Sequence, residues 1–511
     1  MKTYFECINE ISSDELYKGF LAHGLFAEKM PPVFTSENFF NYCNNLPQLF
    51  SDTPRQYIYY EHMRNFNNPR PMGIPNPFGY QRLCLCLKDN WEKIIKHFEN
   101  KTKNDVFKTS RIHIRKLVDK PNLFEMNYDN WRTDGSPEVD LLVGKAWMVK
   151  ADISNCFPSM YSHALPWALV GKPTAKKEKD KKNLWYNDID HYSQNIKNGE
   201  THGFIIGPHV SNLLSEIILT TIDYELRKDW EYTRNIDDYI CYVESRDQAD
   251  KFLAELNKQL RNFDLLLNHK KTEIIELPIA AVDNWRREIL SINLVTTIEN
   301  DSGKSEKMVD FKHTQLFLDK VIELMRDNDM NAAILNYALQ ILVQQELTVS
   351  ARNYCVKTIM HYALNIPYLV PLLDRYLFSP LEVTTEEIEQ YANLIFKESL
   401  KKNHYEGLSY SIFYALKYRV NLSLITPEIA IGSEDCILML LTFRYFHKCG
   451  DVTSTKKLKD HAKQLSSNHD DFYRYWLFIY EVLPSSSLRD EWKPMKEAGV
   501  TFLKDLEDDY S

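Results

Sequence analysis

Two adjacent aspartates, Asp237 and Asp238, lie between the apolar runs of Tyr232-Thr-Arg-Asn-Ile-Asp-Asp-Tyr-Ile-Cys-Tyr-Val243. Short apolar runs on either side of a polar break read as the two arms of a hairpin. A lone aspartate, Asp152, ends another apolar run, Trp147-Met-Val-Lys-Ala-Asp-Ile153. Between them Gly203-Phe-Ile-Ile-Gly-Pro-His-Val-Ser211 opens a long apolar helix, and Leu267-Asn-His-Lys-Lys-Thr272 follows. Taken singly, each aspartate is as readily an acidic turn or a strand-end cap. Taken in order, they require a sheet that brings three carboxylates to one edge.

Clustered carboxylates repel unless cations sit among them. Magnesium accepts oxygen ligands and keeps waters, so two or three carboxylates plus substrate phosphates suffice to hold it. Two such ions, about 3.5–4 Å apart, activate a hydroxyl and neutralise a pyrophosphate leaving group in nucleotidyl transfer. Asp152, Asp237 and Asp238 are the expected ligands of two Mg2+ ions, with Mn2+ as a substitute. Lys271 is in reach of a triphosphate as a cation or proton donor. Phe157, one turn beyond Asp152, can pack against a sugar and exclude a 2′-hydroxyl. Gly203 and Gly207 allow close backbone approach to a base or template. Arg70 and Arg111, from a basic upstream region, could clamp phosphates.

The rest of the chain sets bounds. Its 511 residues are 44% hydrophobic with only 15 glycines, enough for a large helix-rich core. The N-terminus shows no signal-peptide apolar region and no stretch is long enough to span a bilayer, so a soluble, cytoplasmic protein is expected. Nine scattered cysteines, never spaced Cys-x-x-Cys, read as reduced thiols. Cys84 and Cys86 suit one face of a strand. A net charge of −9 argues against a general nucleic-acid coat protein. Residues 88–120 nevertheless hold ten Lys/Arg against five Asp/Glu, and Lys172–Lys182 six against two, local patches suited to a contained strand or a triphosphate.

Residues 1–80 read as irregular and turn-broken, ending in Pro69-Arg-Pro-Met-Gly-Ile-Pro-Asn-Pro-Phe-Gly79. Helical periodicity spans Tyr80–Phe98, and Lys108–Arg115 alternates as a strand. The order from Trp147 is strand, helix, helix, hairpin, helix, strands, with helices over Leu184–Ile196 and Pro208–Leu226 and strands over Leu265–Leu267 and Glu273–Leu277. Asn300-Asp-Ser-Gly-Lys-Ser305 reads as a linker, and beyond about residue 310 only helical periodicity recurs, consistent with a stacked helix-pair array.

These segments resemble the motifs of reverse transcriptases: Lys150-Ala-Asp-Ile-Ser-Asn-Cys-Phe157 motif A, Gly203–Ser211 motif B, Ile236-Asp-Asp238 motif C, and Leu267-Asn-x-x-Lys-Thr272 motif D. Within that family the details are similar to the bacterial abortive-infection (Abi) polymerases. These are Asp152-Ile-Ser-Asn with Met160-Tyr-Ser-His-Ala-Leu-Pro-Trp167, Thr201-His-Gly-Phe, Arg70–Tyr80 and Glu406–Ala415. A prophage-encoded member is the expectation. The resemblance implies an α+β fold of fingers (about 1–145) and palm (about 146–300), then an all-α, HEAT-like helical-repeat domain over 310–511 in place of a thumb. It also implies template-independent DNA synthesis from deoxynucleoside triphosphates, primed on a protein tyrosine, with self-attached or bound single-stranded DNA and assembly into homo-oligomers. Priming candidates in the irregular N-terminal region are Tyr4, Tyr17 and Tyr42.

Two departures bear on templating. Motif B usually reads Pro-Gln-Gly but is Ile205-Ile206-Gly207 here, and motif C has Asn235 where an aromatic is usual. A templated RNA-directed DNA polymerase using a bound RNA is the second reading. A non-enzymatic helical interaction protein with a dead palm is the third, opposed by the retained carboxylates and Lys271.

Overall fold

Capping residues set the first elements of the chain. The computed structural model describes residues 2–45, 50–65, 68–126, 131–299 and 305–504. Helices α1 (Tyr4–Asn9) and α2 (Ser13–Leu21) each begin with a reciprocal capping box, Thr3 with Glu6 and Ser12 with Glu15. Helix α3 (Glu37–Asn44) follows. The N-terminal region is therefore helical, not irregular: the caps satisfy the free N–H groups that loop composition alone leaves out of account. Strands β1 (Ile58–Arg64) and β2 (Asn68–Ile74) form an antiparallel hairpin in which His62 faces Arg70.

Helix α4 (Pro77–Asp89) starts with Pro77 in its first turn, where the missing N–H costs nothing, under an Asn76 cap. It ends before α5 (Trp91–Thr102), so the single period over Tyr80–Phe98 is two helices. Cys84 and Cys86 lie on α4 rather than on a strand, both buried. All nine cysteines are free, and only Cys449 is exposed.

The central sheet is antiparallel, in the order β4-β5-β3-β6: β3 (Trp147–Asp152), β4 (Tyr232–Asn235), β5 (Asp238–Val243) and β6 (Glu273–Glu276). Pairing of β3 with β5 sets Asp152 opposite Asp238. Leu267 makes a single bridge to Ile153 instead of a strand, and Lys108–Arg115 touches the sheet through one bridge, Ser110 to Arg234. Residues 108–114 of that second segment are all buried, so the alternation in its sequence does not mark a solvent-facing side.

The Val210–Leu226 helix has fourteen of its seventeen residues buried, and the Arg246–Arg261 helix packs on both β3 and β5. Of the expected linker, residues 300–304 lie outside the described residues. Strands β7 (Thr296–Glu299) and β8 (Ser305–Met308) on either side of it pair with each other. Beyond Met308 the described residues hold helices and isolated bridges but no strand. Helices Thr385–Lys402 and Tyr405–Tyr418 pack on each other, as do Tyr405–Tyr418 and Cys436–Lys448. No helix among the described residues is long and apolar enough to cross a membrane.

The last described residues return to the N-terminal region. Phe502 accepts from the Thr35 N–H at 2.9 Å, and the Lys504 N–H donates to Val33 at 2.8 Å. Phe39, Phe50 and Phe78 pack into one aromatic cluster with Trp492 and Phe502. Glu406, from the helical half, accepts from the Met63 N–H at 2.8 Å and pairs with buried His62, tying the β1–β2 hairpin down.

Candidate active site

Asn235 pairs with Asp238 across β4–β5, leaving Ile236 and Asp237 as a two-residue turn. Ile236 sits at φ +57°, a conformation that costs a β-branched residue strain. The turn is held from behind: Arg234, fully buried, donates to the Ile236 carbonyl at 2.8 Å. Arg234 also pairs with Glu216 at 2.8 Å and Asp223 at 2.7 Å, both on the Val210–Leu226 helix. Tyr232 donates to Asp223 at 2.7 Å, and Tyr4 to Glu216 at 3.0 Å. A buried charge survives only when paired and hydrogen-bonded, and here every partner is supplied.

Asp152 closes β3 and is 4% exposed. The Ile153 N–H donates to the Asp237 carbonyl at 3.1 Å, and the Asn268 N–H to the Asp152 carbonyl at 2.7 Å. The Asn268 side chain donates to one Asp152 carboxylate oxygen at 2.9 Å, and the Lys271 ammonium to the other at 2.7 Å. Three of the four segments thus meet at one end of the central strands β3 and β5. Burial, then the charge of Asp152, raises the Asp237 carboxyl above its ordinary range, while Lys271 and Arg70 oppose the rise. Asp238, open to solvent at the rim, is still pushed up to about 6, first by desolvation, then by Asp237 and Asp152. The cluster holds more negative charge than its fixed cations balance.

That surplus and the hard oxygen donors fit a divalent cation. Among the described residues no group of three or more His, Cys, Asp and Glu side chains is drawn together closely enough to hold one as it stands. The Lys271 ammonium occupies the Asp152 oxygen that an ion would take. Its side chain is 62% exposed and therefore has room to swing away.

Phe157 lies on the short helix Cys156–Ser159, reached through Asn155 in the left-handed region at φ +46°. It is half-buried, and its carbonyl accepts from the Phe204 N–H at 2.8 Å, which sets it against the Gly203–Ser211 loop. Gly207, at φ +130°, stands where a Cβ would lie 3.0 Å from the Gly73 carbonyl; the close approach it permits is to β2. Ile205 is buried, and the Ile206 carbonyl is taken by the Gly73 N–H at 2.9 Å.

Arg70, on β2, is near enough for its charge to act on Asp237. Arg111 is elsewhere: it is buried, donates to the Gly135 carbonyl at 2.5 Å and pairs with Glu138. Lys108 and Arg115 are likewise engaged by Asp134. Three of the ten bases over residues 88–120 are thus engaged inside the protein, which charge counting along a sequence does not reveal. Tyr4 and Tyr17 are buried in helices, and Tyr42 on α3 is half-buried, so none of the three lies on the irregular segment expected for it. Sequence reading missed Arg234, Glu216, Asp223 and Asn268. Glu216 and Asp223, seven apart on one face of a largely buried helix, were the available signal.

Residues 85–309 match the family model described as reverse transcriptase (RNA-dependent DNA polymerase). A search of curated protein sequences returned no match. Among solved structures, the chain is similar to apo telomerase from Candida tropicalis truncated from its C-terminal domain, at 15% identity and TM-score 0.28, over 52% of this chain and 58% of that one. Apo telomerase from the same organism matches at 11% identity and TM-score 0.30, over 95% of this chain and 76% of that one. Residues 85–309, somewhat under half of the chain, are therefore similar to a reverse-transcriptase domain, a nucleotidyltransferase family. Such domains use divalent metal ions, typically Mg2+.

Proposed function

We propose that this protein is a DNA polymerase of abortive-infection phage defence that builds DNA without a template, starting from a tyrosine of its own. The observation that carries the reading is the meeting of Asp152, Asp237 and Asp238 at one sheet edge, with Lys271 and Asn268 on Asp152. Bound at these carboxylates, two Mg2+ ions would activate the attacking hydroxyl and neutralise the departing pyrophosphate. Asn268 orients Asp152, Lys271 turns from Asp152 to the triphosphate, and Phe157 stands where a 2′-hydroxyl would be crowded.

Untemplated synthesis is supported by the loop at Ile205–Gly207. Its two isoleucines offer no polar side chain at the place where a template grip would be, and the Ile206 carbonyl is spent on Gly73. A fixed protein hydroxyl solves the positioning of a primer by proximity. Among Tyr4, Tyr17 and Tyr42, the partial exposure of Tyr42 favours it. Residues 1–300 act as fingers and palm, residues 310–511 as a HEAT-like helical domain in place of a thumb, in a cytoplasmic homo-oligomer.

The test is incubation of purified protein with each dNTP separately and magnesium, without nucleic acid, followed by a denaturing gel. Product that stays with the protein through phenol extraction until protease is added is expected. Synthesis that requires an added RNA template would replace this reading with the templated one.

A further inference from the structure

The Lys172–Lys182 run is not used by the catalytic cluster, and it borders a group of rings. Tyr161 is at their centre, with ring centroids 4.7 Å from His163, 5.7 Å from Trp167 and 5.8 Å from His202. Tyr161, His163 and Trp167 are half-buried and His202 is exposed, so the rings are fixed from below and reachable from above. Three lysines stand around them. Lys172 lies 3.8 Å over the Trp167 ring, Lys197 donates to the His202 carbonyl, and Lys179 acts on His163 through its charge. Lys176, Lys177, Lys181 and Lys182 are exposed nearby in sequence, against the acids Glu178 and Asp180. Glu178 is itself bonded to Tyr186 and Lys181.

This platform is continuous with the site. Tyr161 bridges His202, and the Gly203 N–H donates to the Met160 carbonyl at 2.8 Å, so the rings begin a few residues from Phe157 and share its loop. We infer that Tyr161, His163, Trp167 and His202, rimmed by Lys172, Lys179 and Lys197, form a stacking platform that holds a single strand of DNA as it leaves the catalytic edge. The inference rests on the polymerase reading for the identity of the strand. The chemistry is that of sequence-tolerant single-strand binding: rings stack on any base, and cations follow the phosphates. An acidic protein gains such a surface only by local concentration of charge, because its net charge repels nucleic acid.

The experiment uses the full-length protein and fluorescence anisotropy of a 5′-labelled oligo(dT) of twelve nucleotides, without magnesium or dNTPs. Trp167→Ala should weaken binding about 10-fold, and Trp167→Phe, which keeps a ring, should restore most of it. The exposed Lys179→Glu, which removes no packing, should weaken binding and flatten its salt dependence. Lys456→Glu, on the distant Val452–Ser466 helix, serves as the control and should leave binding unchanged. Unaltered affinity in both Trp167→Ala and Lys179→Glu overturns the platform. So does displacement of the oligonucleotide by polyglutamate at equal charge concentration, which would make the surface a general anion face. Because binding is read without catalysis, a wild type that binds oligo(dT) but incorporates no dNTP counts against the polymerase reading alone. One that incorporates dNTPs but binds oligo(dT) independently of Trp167 and Lys179 counts against the platform alone.

Discussion

Arg234 donates to the backbone carbonyl of Ile236 at 2.8 Å, so the turn that presents Asp237 is braced by a guanidinium with no exposed surface. The same guanidinium holds Glu216 and Asp223, and Tyr4 reaches the network through Glu216. The N-terminal helix, the Val210–Leu226 helix and the Asp237–Asp238 hairpin are therefore joined by one set of polar contacts.

Removing the centre of that network should be severe. Arg234→Met leaves two buried carboxylates, Glu216 and Asp223, without their counter-ion and should cost about 3–5 kcal/mol in chemical denaturation. Tyr4→Phe deletes one hydroxyl and should cost about 1–2 kcal/mol. A loss of under 1 kcal/mol for Arg234→Met would show that the network does not support the fold.

Asp237→Asn should abolish nucleotide incorporation while changing stability by no more than about 1–2 kcal/mol. Calorimetry adds a readout independent of turnover. Magnesium at 100 times its Kd should stabilise the wild type by about 2.7 kcal/mol, and this gain should be lost in Asp237→Asn. Equal magnesium shifts in the two proteins would remove Asp237 from the metal site.

Phe157→Ala or Phe157→Val should admit ribonucleotides, read as ATP incorporation relative to dATP on the same gel. The ring is half-buried and lies against the Phe204 backbone, so the fold should survive the truncation. Wild type that already uses ATP as well as dATP would leave Phe157 without this role.

His163 is raised above its ordinary pKa, first by its hydrogen bond with Asp190, against burial and the charge of Lys179. The sign follows: a histidine with a raised folded pKa stabilises fully below its unfolded value, near about 6.5, and loses that contribution as pH rises through the folded value. Asp190→Asn should lower the His163 midpoint in an NMR titration and flatten stability across that window. An unchanged midpoint would show that Asp190 does not hold the proton there.

The pairing of the aspartate-bearing strands was legible in the sequence because its signals are local. Asp152 ends an apolar run, Asp237 and Asp238 interrupt another, and both runs are short enough to be strands. The brace was less legible, since Arg234 looks like an ordinary polar strand residue until the preceding helix folds back and brings Glu216 and Asp223 to meet it. Arg111 misled for the same reason. Its charge was visible in the sequence, but Glu138 and the Gly135 carbonyl, which engage it, become neighbours only on folding. The helices holding Tyr4 and Tyr17 were announced by Thr3 with Glu6 and Ser12 with Glu15, signals short enough to be hidden among loop-forming residues.

The packing of Trp492 and Phe502 onto Phe39 and Phe78 has a consequence for synthesis on the ribosome. The N-terminal aromatic face is made first, but its cover is encoded more than four hundred residues later. At about 5–20 residues per second, that face waits roughly 20–80 s for its partners to emerge. A nascent chain of this protein therefore displays an apolar surface until Trp492 and Phe502 have emerged. A chain stopped before Trp492 would keep it open to chaperones and proteases for good, so the segment carrying Trp492 and Phe502 decides whether that face is ever closed.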